Sequence, residues 1–502
     1  MIDLGRELEK YSKSDFYPFH MPGHKRRFDP GFNAYDVDIT EIEPFDDLHH
    51  PRGILRELQA QCAKLFGVME SFYLVNGSSC GILSAIAAAL DTGRYYLILD
   101  RGSHKSAYNA VILKDAEPEY VFSRPSEHGF YEGIYPQDVD TLLKKRHDFC
   151  RESEKKTLKP CLFVTSPTYD GITSDIAALA ELIHERDGLL IVDEAHGAHF
   201  GMHDIFPESA VRQGADIVIQ SLHKTLPAPT QTSVLHILSP RAQELDIGRY
   251  LAIFESSSPS YILMSGISSC LNFLDSRGKE YFDRFANRLD LFYRRVDKLR
   301  ALRVYRHEYD NRKRDISKIL IGTGNTGLTG HDLYRILGDR YHLRLEMEAS
   351  FYVTALSSLM DTDEGFERLA GAILEIDGEL ADGKSISGKP VTGREITEEP
   401  VTGGLINGKL STGGLTAPYP EPVTVCPAGS AFRAQKKAVL LDEAADRVSG
   451  VFVFLYPPGI PVLAPGELVT AEIIELIRGY VSAGFDVRGL AGEEPLSIEV
   501  CE

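Results

Sequence analysis

The sequence predicts an α/β fold built on a mainly parallel sheet, and three features predict it. Between about residues 53 and 240, apolar strand patterns alternate with helix-length segments. Such alternation implies a sheet covered by helices on both faces, and the strand candidates read as fully buried runs. The chain has 502 residues, of which 43% are hydrophobic and 25% charged, which suits a large two-lobed enzyme and excludes global disorder or a fibre.

Taken in order, residues 53–66 carry Ile54, Leu58, Cys62 and Leu65 at helical spacing. Residues 71–75 form a short β run and 79–90 a helix. Further buried strands are expected at 96–99, 161–165, 189–192, 217–219 and 234–237, with a helix at 176–186 among them. Residues 260–303 read as long-helical and lead to a second lobe. There, helices are expected at 366–381, 434–448 and 468–483, and a strand at 451–455. The resulting division is an N-terminal segment (1–50), a large domain (51–300), the start of a small domain (301–382), a Gly/Thr/Pro-rich insertion or loop (383–422) and a C-terminal domain (423–502). In the Gly/Thr/Pro stretch, Pro390-Val391-Thr392-Gly393 is echoed at Pro400-Val401-Thr402-Gly403. It is too poor in apolar residues to bury a core and is expected to carry no chemistry.

The balance of 54 Lys and Arg against 73 Asp and Glu gives a formal charge of −19, which argues against nucleic-acid and anionic-membrane partners. The charged N-terminus has no signal-peptide core, and the longest apolar run, residues 80–90, is far short of the about 20 needed to span a bilayer. Seven cysteines are scattered singly, as expected in a reducing cytoplasm.

Two apparent nucleotide-hydrolase signatures fail on context. Gly378 to Ser385 satisfies G-x-x-x-x-G-K-S, but a helical pattern precedes it and Gly388 and Pro390 follow, where a phosphate loop needs a strand before and a helix after. Val192-Asp193-Glu194-Ala195-His196 looks like a magnesium-holding strand end only in isolation. Four post-strand motifs fit one chemistry instead, because ligands of such sheets sit beyond the strands' carboxyl ends. Ser78, Ser79, Ser221 and His223 offer an anion cradle, His104 a ring-sized aromatic, Asp193 a buried acid and Lys224 an amine. These are the parts needed to hold pyridoxal 5′-phosphate, a cofactor that delocalises a carbanion into a protonated pyridine ring. A carboxylate at Asp193 would favour the protonated ring nitrogen, and Lys224 would form the Schiff base.

The ordered set Phe19-His20-Met21-Pro22-Gly23-His24-Lys25, Asp46-Asp47-Leu48, Asn76-Gly77-Ser78-Ser79, His104-Lys105-Ser106, Pro167-Thr168-Tyr169-Asp170-Gly171, Asp193-Glu194-Ala195-His196-Gly197, Ser221-Leu222-His223-Lys224-Thr225, Ser257-Ser258-Pro259 and Tyr456-Pro457-Pro458-Gly459-Ile460-Pro461 resembles the bacterial ornithine/lysine/arginine decarboxylases. The resemblance implies a fold-type I pyridoxal-phosphate enzyme of aspartate aminotransferase architecture, with a smaller C-terminal α+β domain. It implies Lys224 as the cofactor lysine, Asp193 at the pyridine nitrogen, and His104 and Ala195 on the two ring faces. Ser78, Ser79, Ser221 and His223 would take the phosphate, and His196 would lie near the phenolic oxygen and substrate. A homodimer with shared sites is implied, Ser256 reaching a partner's phosphate. The sequence opens almost directly on the first signature, so the decamer of the longer, wing-bearing members is not implied.

The expected reaction is decarboxylation of arginine, lysine or ornithine, arginine first, to CO2 and an amine feeding polyamine metabolism. Asp46, Asp47, Glu346 and Glu348 are candidates for the substrate's distal cation. The alternatives are an aminotransferase or other α-carbon enzyme of the same fold, a non-catalytic relative, and a metal-dependent hydrolase using His20, His24, His196, His199 and His203. The preferred reading has no metal ligands.

Overall fold

The computed structural model describes residues 3–124, 130, 132–153, 158–306, 314–324, 326–384, 421–455, 459–482, 485–492 and 495–502. Most of the predicted Gly/Thr/Pro insertion (385–420) and Tyr456-Pro457-Pro458 therefore lie outside the described residues.

A seven-stranded sheet organises the large domain. Its spatial order is Glu70–Leu74, Ser233–Ile237, Ile217–Gln220, Leu189–Asp193, Lys159–Thr165, Tyr95–Asp100, Glu119–Val121. All neighbours are parallel except at Ser233–Ile237, which runs antiparallel to both strands beside it. Its strand interiors are largely apolar because both faces are covered. Leu97, Leu99, Phe163, Ile191 and Ile219 pack under the helix Gly77–Asp91 on one face. Ile98, Leu162, Val164, Leu190, Val192 and Val218 meet Leu179 and Ile183 of the helix Ile176–His184 on the other. Helix Ile54–Phe66 ends where Gly67 adopts a left-handed φ of 71°, a conformation cheap for glycine.

The 35-residue helix Tyr261–Arg295 leads into a four-stranded antiparallel sheet ordered Met347–Glu348, Tyr352–Leu356, Lys318–Gly322, Arg303–Tyr305. Its core, with Ile319, Ile321, Val353 and Ala355, is continuous with Phe282, Phe285 and Phe292 of the long helix and Phe366 of the helix Asp363–Ala381. The N-terminal segment is stitched to this side: Tyr17–Phe19 pairs in parallel with Leu343–Leu345. Buried Lys25 then donates to the carbonyls of Pro18, His20 and Leu356. The phosphate-loop reading is refuted here, since Gly378 lies inside the helix Asp363–Ala381, with no strand before it.

The C-terminal region has its own core around Val453, Leu463, Ile473, Ile477 and Val500. The helix expected at 434–448 is not formed. Lys436–Leu440 is a strand paired with Ser497–Cys501, followed by a 3-10 turn at Leu441–Glu443. Its Lys, Ala and Leu residues favour a helix locally, but partner-strand hydrogen bonds and burial of Ile498 and Val500 override that weak preference.

One buried ion pair ties this region to the large sheet. Arg101, directly after the strand Tyr95–Asp100, grips Glu467 with two hydrogen bonds of 2.7 and 3.0 Å, both side chains being under 5% exposed. Its guanidinium also lies 5.6 and 5.0 Å from the ring centres of Tyr108 and Tyr120. Removing one partner of such a pair strands a buried charge. Arg101→Ala should therefore lower unfolding stability by about 3–5 kcal/mol, whereas Arg101→Met paired with Glu467→Leu should recover most of the loss. Denaturant titration of the three proteins checks this, and equal loss in the single and double variants would contradict it.

Candidate active site

Five strands deliver their following loops to one edge of the large sheet. Register puts Asp193 beside Thr165 and Ile219, so the loops after Lys159–Thr165, Leu189–Asp193 and Ile217–Gln220 begin level with one another. The loops after Glu70–Leu74 and Tyr95–Asp100 open on the same edge, as does the start of the antiparallel strand at Ser233.

Lys224 sits in the short helical turn Leu222–Thr225 after Gln220. Its Nζ lies 3.0 Å from His196 Nε2. Burial pushes its pKa down, with the charges of Asp193 and Glu346 pulling the other way. Asp193 is buried; desolvation raises its pKa against the opposing pull of Lys224, and its Oδ1 accepts the Ala195 N–H at 3.0 Å. The imidazole of His196 is held well below its ordinary pKa by burial and by Lys224. Its Nδ1 is buried without a hydrogen-bond partner, and the ring of Tyr169 stands edge-on at 4.8 Å.

Of the four residues expected to cradle an anion, the structure brings Ser78 and Ser221 into contact. Ser78 Oγ is 2.6 Å from Ser221 Oγ and 3.2 Å from Ser233 Oγ. Ser106 donates to Ser79 at 2.9 Å, and His104 Nδ1 lies 2.8 Å from Ser106 Oγ. Gly77, at φ 75°, starts the helix Gly77–Asp91, and Asn76 gives its side chain to the Phe254 carbonyl instead of capping that helix. The start of that helix therefore carries Ser78 and Ser79 beside the hydroxyls of Ser221, Ser233 and Ser106, an arrangement that suits a phosphate. His223 Nδ1 is 2.9 Å from the Thr232 carbonyl oxygen, and burial lowers the pKa of both His223 and His104 to about 4. Ser256 differs from the other serines: it is exposed, and its hydroxyl bonds within its own turn, to Ser258.

Of the distal-cation candidates, only Glu346 reaches this cleft. It accepts the Tyr169 hydroxyl at 2.6 Å and the Met21 N–H at 2.7 Å. The Asp46 carboxylate is consumed by the N–H groups of Arg52 and Gly53, Asp47 by His49 and His50, and Glu348 pairs with His331. The N-terminal loop meets the lysine turn: Gly23 donates to the His223 carbonyl at 2.7 Å. A Cβ at Gly23 would fall 2.8 Å from the backbone of Thr225 and Leu226, so only glycine fits. Two residues given no role from sequence belong to the surroundings. Tyr169 occupies a post-strand motif, and Lys318, a lysine opening an apolar strand, was a usable signal.

The five histidines of the hydrolase alternative go separate ways. His20 meets Tyr11, His24 the Arg26 N–H, His196 Lys224, His199 Asp315 and His203 Asp283. Among the described residues, no group of three or more metal-ligating side chains converges.

This sheet, with a desolvated lysine, a buried carboxylate and an anion cradle at its carboxyl edge, defines the fold-type I class of pyridoxal-phosphate enzymes. Residues 3–307 match the Orn/Lys/Arg decarboxylase major domain and residues 408–486 that family's C-terminal domain. The chain belongs to the Orn/Lys/Arg decarboxylase family. It is 29% identical over 500 residues to arginine decarboxylase of Bacillus subtilis (strain 168), covering 96% of this chain and 94% of that one. Arginine decarboxylase of Halalkalibacterium halodurans is 29% identical over 499 residues, with 95% and 93% covered. Among solved structures, the Francisella novicida lysine decarboxylase LdcF superposes with a TM-score of 0.75 at 19% identity, covering 99% of this chain and 80% of that one; this likeness bears on fold alone. Family membership brings decarboxylation of a basic amino acid, with pyridoxal 5′-phosphate as cofactor, and the residues present fit that group: the buried serine cluster at a helix start suits its phosphate and the buried Asp193 carboxylate its ring nitrogen.

Beneath the site, Glu194 is held by Ser209, the Ala210 N–H and Gln220, and burial raises its pKa to about 7. His236 extends this network, Nε2 lying 3.2 Å from Gln220 Oε1 and Nδ1 2.8 Å from Ser71 Oγ. Burial depresses the His236 pKa to about 3. As the pH falls below about 6.5 the unfolded chain takes up this proton first, so the stability that neutral His236 contributes is complete above 6.5 and is lost towards 3. Nitrogen NMR should therefore find the His236 ring neutral at pH 5; a protonated ring there would refute the network.

Proposed function

We propose that this enzyme decarboxylates arginine, with Lys224 as the cofactor lysine and Asp193 as the partner of the ring nitrogen. The observation carrying the reading is the desolvated Lys224 amine lying 3.0 Å from His196 in a cleft that also holds Asp193. When bound, pyridoxal 5′-phosphate supplies an electron sink for the pair released from the Cα–carboxylate bond. The rest falls to the chain. Lys224 reacts as a neutral amine, and desolvation makes that form accessible. His196, neutral in its buried setting, takes and returns a proton at Nε2, so that either it or Lys224 can deliver the proton that Cα needs after CO2 leaves. Ser78, Ser79, Ser221 and His223 bind the phosphate, while His104 and Ala195 flank the ring.

The arginine preference is supported by the Bacillus and Halalkalibacterium relatives, whose names specify that substrate. The division at residues 50, 300, 382 and 422 belongs to the same proposal, with residues 51–300 holding the cofactor. So do a homodimer in which the exposed Ser256 reaches the partner's phosphate, a cytoplasmic setting supported by the free cysteines 62, 80, 161, 270, 426 and 501, and an amine product entering polyamine metabolism.

Lys224→Ala should lower CO2 release by about a thousand-fold or more and abolish the borohydride-trapped cofactor adduct. Retention of both would remove the central assignment. With the wild-type enzyme and no keto acid added, arginine should yield CO2 and its amine faster than lysine or ornithine does. A faster rate on either of the others would overturn the substrate assignment while leaving the reaction class intact.

A further inference from the structure

Outside the proposed cofactor set, Tyr169 touches the working pair through His196, and Glu346 in turn touches Tyr169. We propose that Tyr169 and Glu346 form a positioning dyad: the Glu346 carboxylate fixes the Tyr169 hydroxyl, the Tyr169 ring fixes the His196 imidazole, and that imidazole fixes the Lys224 amine. The contacts run in sequence, 2.6 Å from Tyr169 Oη to Glu346 Oε1, 4.8 Å between the Tyr169 and His196 ring centres, and 3.0 Å from His196 Nε2 to Lys224 Nζ. Both ends are pinned. Met21 N–H donates to Glu346 Oε2 at 2.7 Å, and the buried Lys318 Nζ donates to the Tyr169 carbonyl at 2.6 Å. His196 needs such a support because its Nδ1 has no hydrogen-bond partner to set the ring's rotation.

The dyad has an electrostatic consequence. Lys25, Lys318, Lys224 and His20 surround Glu346, while Lys224 faces Asp193, Glu346, His104, His196, His223 and Lys318. Glu346 is thus a second negative charge, after Asp193, favouring the protonated form of the Lys224 amine. Tyr169 holds that charge in place without touching the lysine.

The inference rests on the decarboxylase reading for its kinetic arm and is independent of it for its titration arm. In the full-length chain freed of cofactor, the pH profile of Lys224 acetylation by acetic anhydride, read by peptide mass spectrometry, reports the amine's pKa. Glu346→Gln should move that midpoint down by about one pH unit, and Glu346→Asp should restore most of it. Tyr169→Leu, which removes the ring, should lower kcat for CO2 release by about 10- to 100-fold with little change in KM. Tyr169→Phe, which keeps the ring, should lose less. An unmoved acetylation midpoint in Glu346→Gln, or equal losses in Tyr169→Phe and Tyr169→Leu, would overturn the dyad. Failure of the wild-type enzyme to release CO2 would instead overturn the decarboxylase reading, leaving the titration arm to decide the dyad by itself.

Discussion

A parallel hydrogen-bonded ladder runs in one direction only, and the site depends on that constraint. Thr165, Asp193 and Ile219 lie level across three strands, so the loops that follow them must meet at one edge. Residues scattered from Ser78 to Lys224 then converge without any local sequence signal drawing them together. The antiparallel strand Ser233–Ile237 obeys the same geometry in reverse, since its beginning, not its end, brings Ser233 within 3.2 Å of Ser78. Covering both faces of the ladder with helices makes its strand interiors largely apolar, and the polar side chains of the site gather at the carboxyl edge.

What was legible in the sequence follows from this. Six of the seven large-sheet strands were readable because an apolar run bounded by turn residues has few alternative structures, the three-residue edge strand Glu119–Val121 being the exception, and the motifs were readable because each directly follows such a run. The smaller sheets were less so, because Arg303–Tyr305 and Met347–Glu348 in the four-stranded sheet, and Leu343–Leu345 beside Tyr17–Phe19, are only two or three residues long, too short for a periodic pattern. The strand Lys436–Leu440 read as helix for a related reason: its identity is decided by a partner some sixty residues away, at Ser497–Cys501. Candidate site residues could be named where they lie on post-strand loops. The choice among Asp46, Asp47, Glu346 and Glu348 could not be made, because only folding reveals which carboxylates backbone N–H groups and histidines have already claimed.

The N-terminal segment illustrates how a small sheet can serve a site on a large one. Its strand Tyr17–Phe19 joins Leu343–Leu345, and the loop that follows reaches the Lys224 turn through the Gly23 contact with His223. Lys25 fastens that loop by three carbonyl hydrogen bonds, with Asp361 3.9 Å away. A point charge held by carbonyl dipoles can be buried at modest net cost because its hydration shell is replaced rather than removed. The segment therefore behaves as part of the site's wall.

Buried lysines elsewhere around the cleft follow the same rule with different outcomes. Lys25 and Lys318 each have two or more carbonyl acceptors and nearby carboxylates, Asp361 for the first and Asp315 and Asp170 for the second. Lys224 has a neutral imidazole as its hydrogen-bond partner, and Asp193 and Glu346 act on it as charges. Carbonyl acceptors and a close carboxylate stabilise an ammonium; a neutral imidazole can accept a proton as well as a hydrogen bond. Burial lowers the pKa of all three lysines, that of Lys318 to about 7, so depression alone does not single out the lysine proposed to react; what sets Lys224 apart is an imidazole acceptor in place of backbone carbonyls, a difference set by what each strand and loop presents.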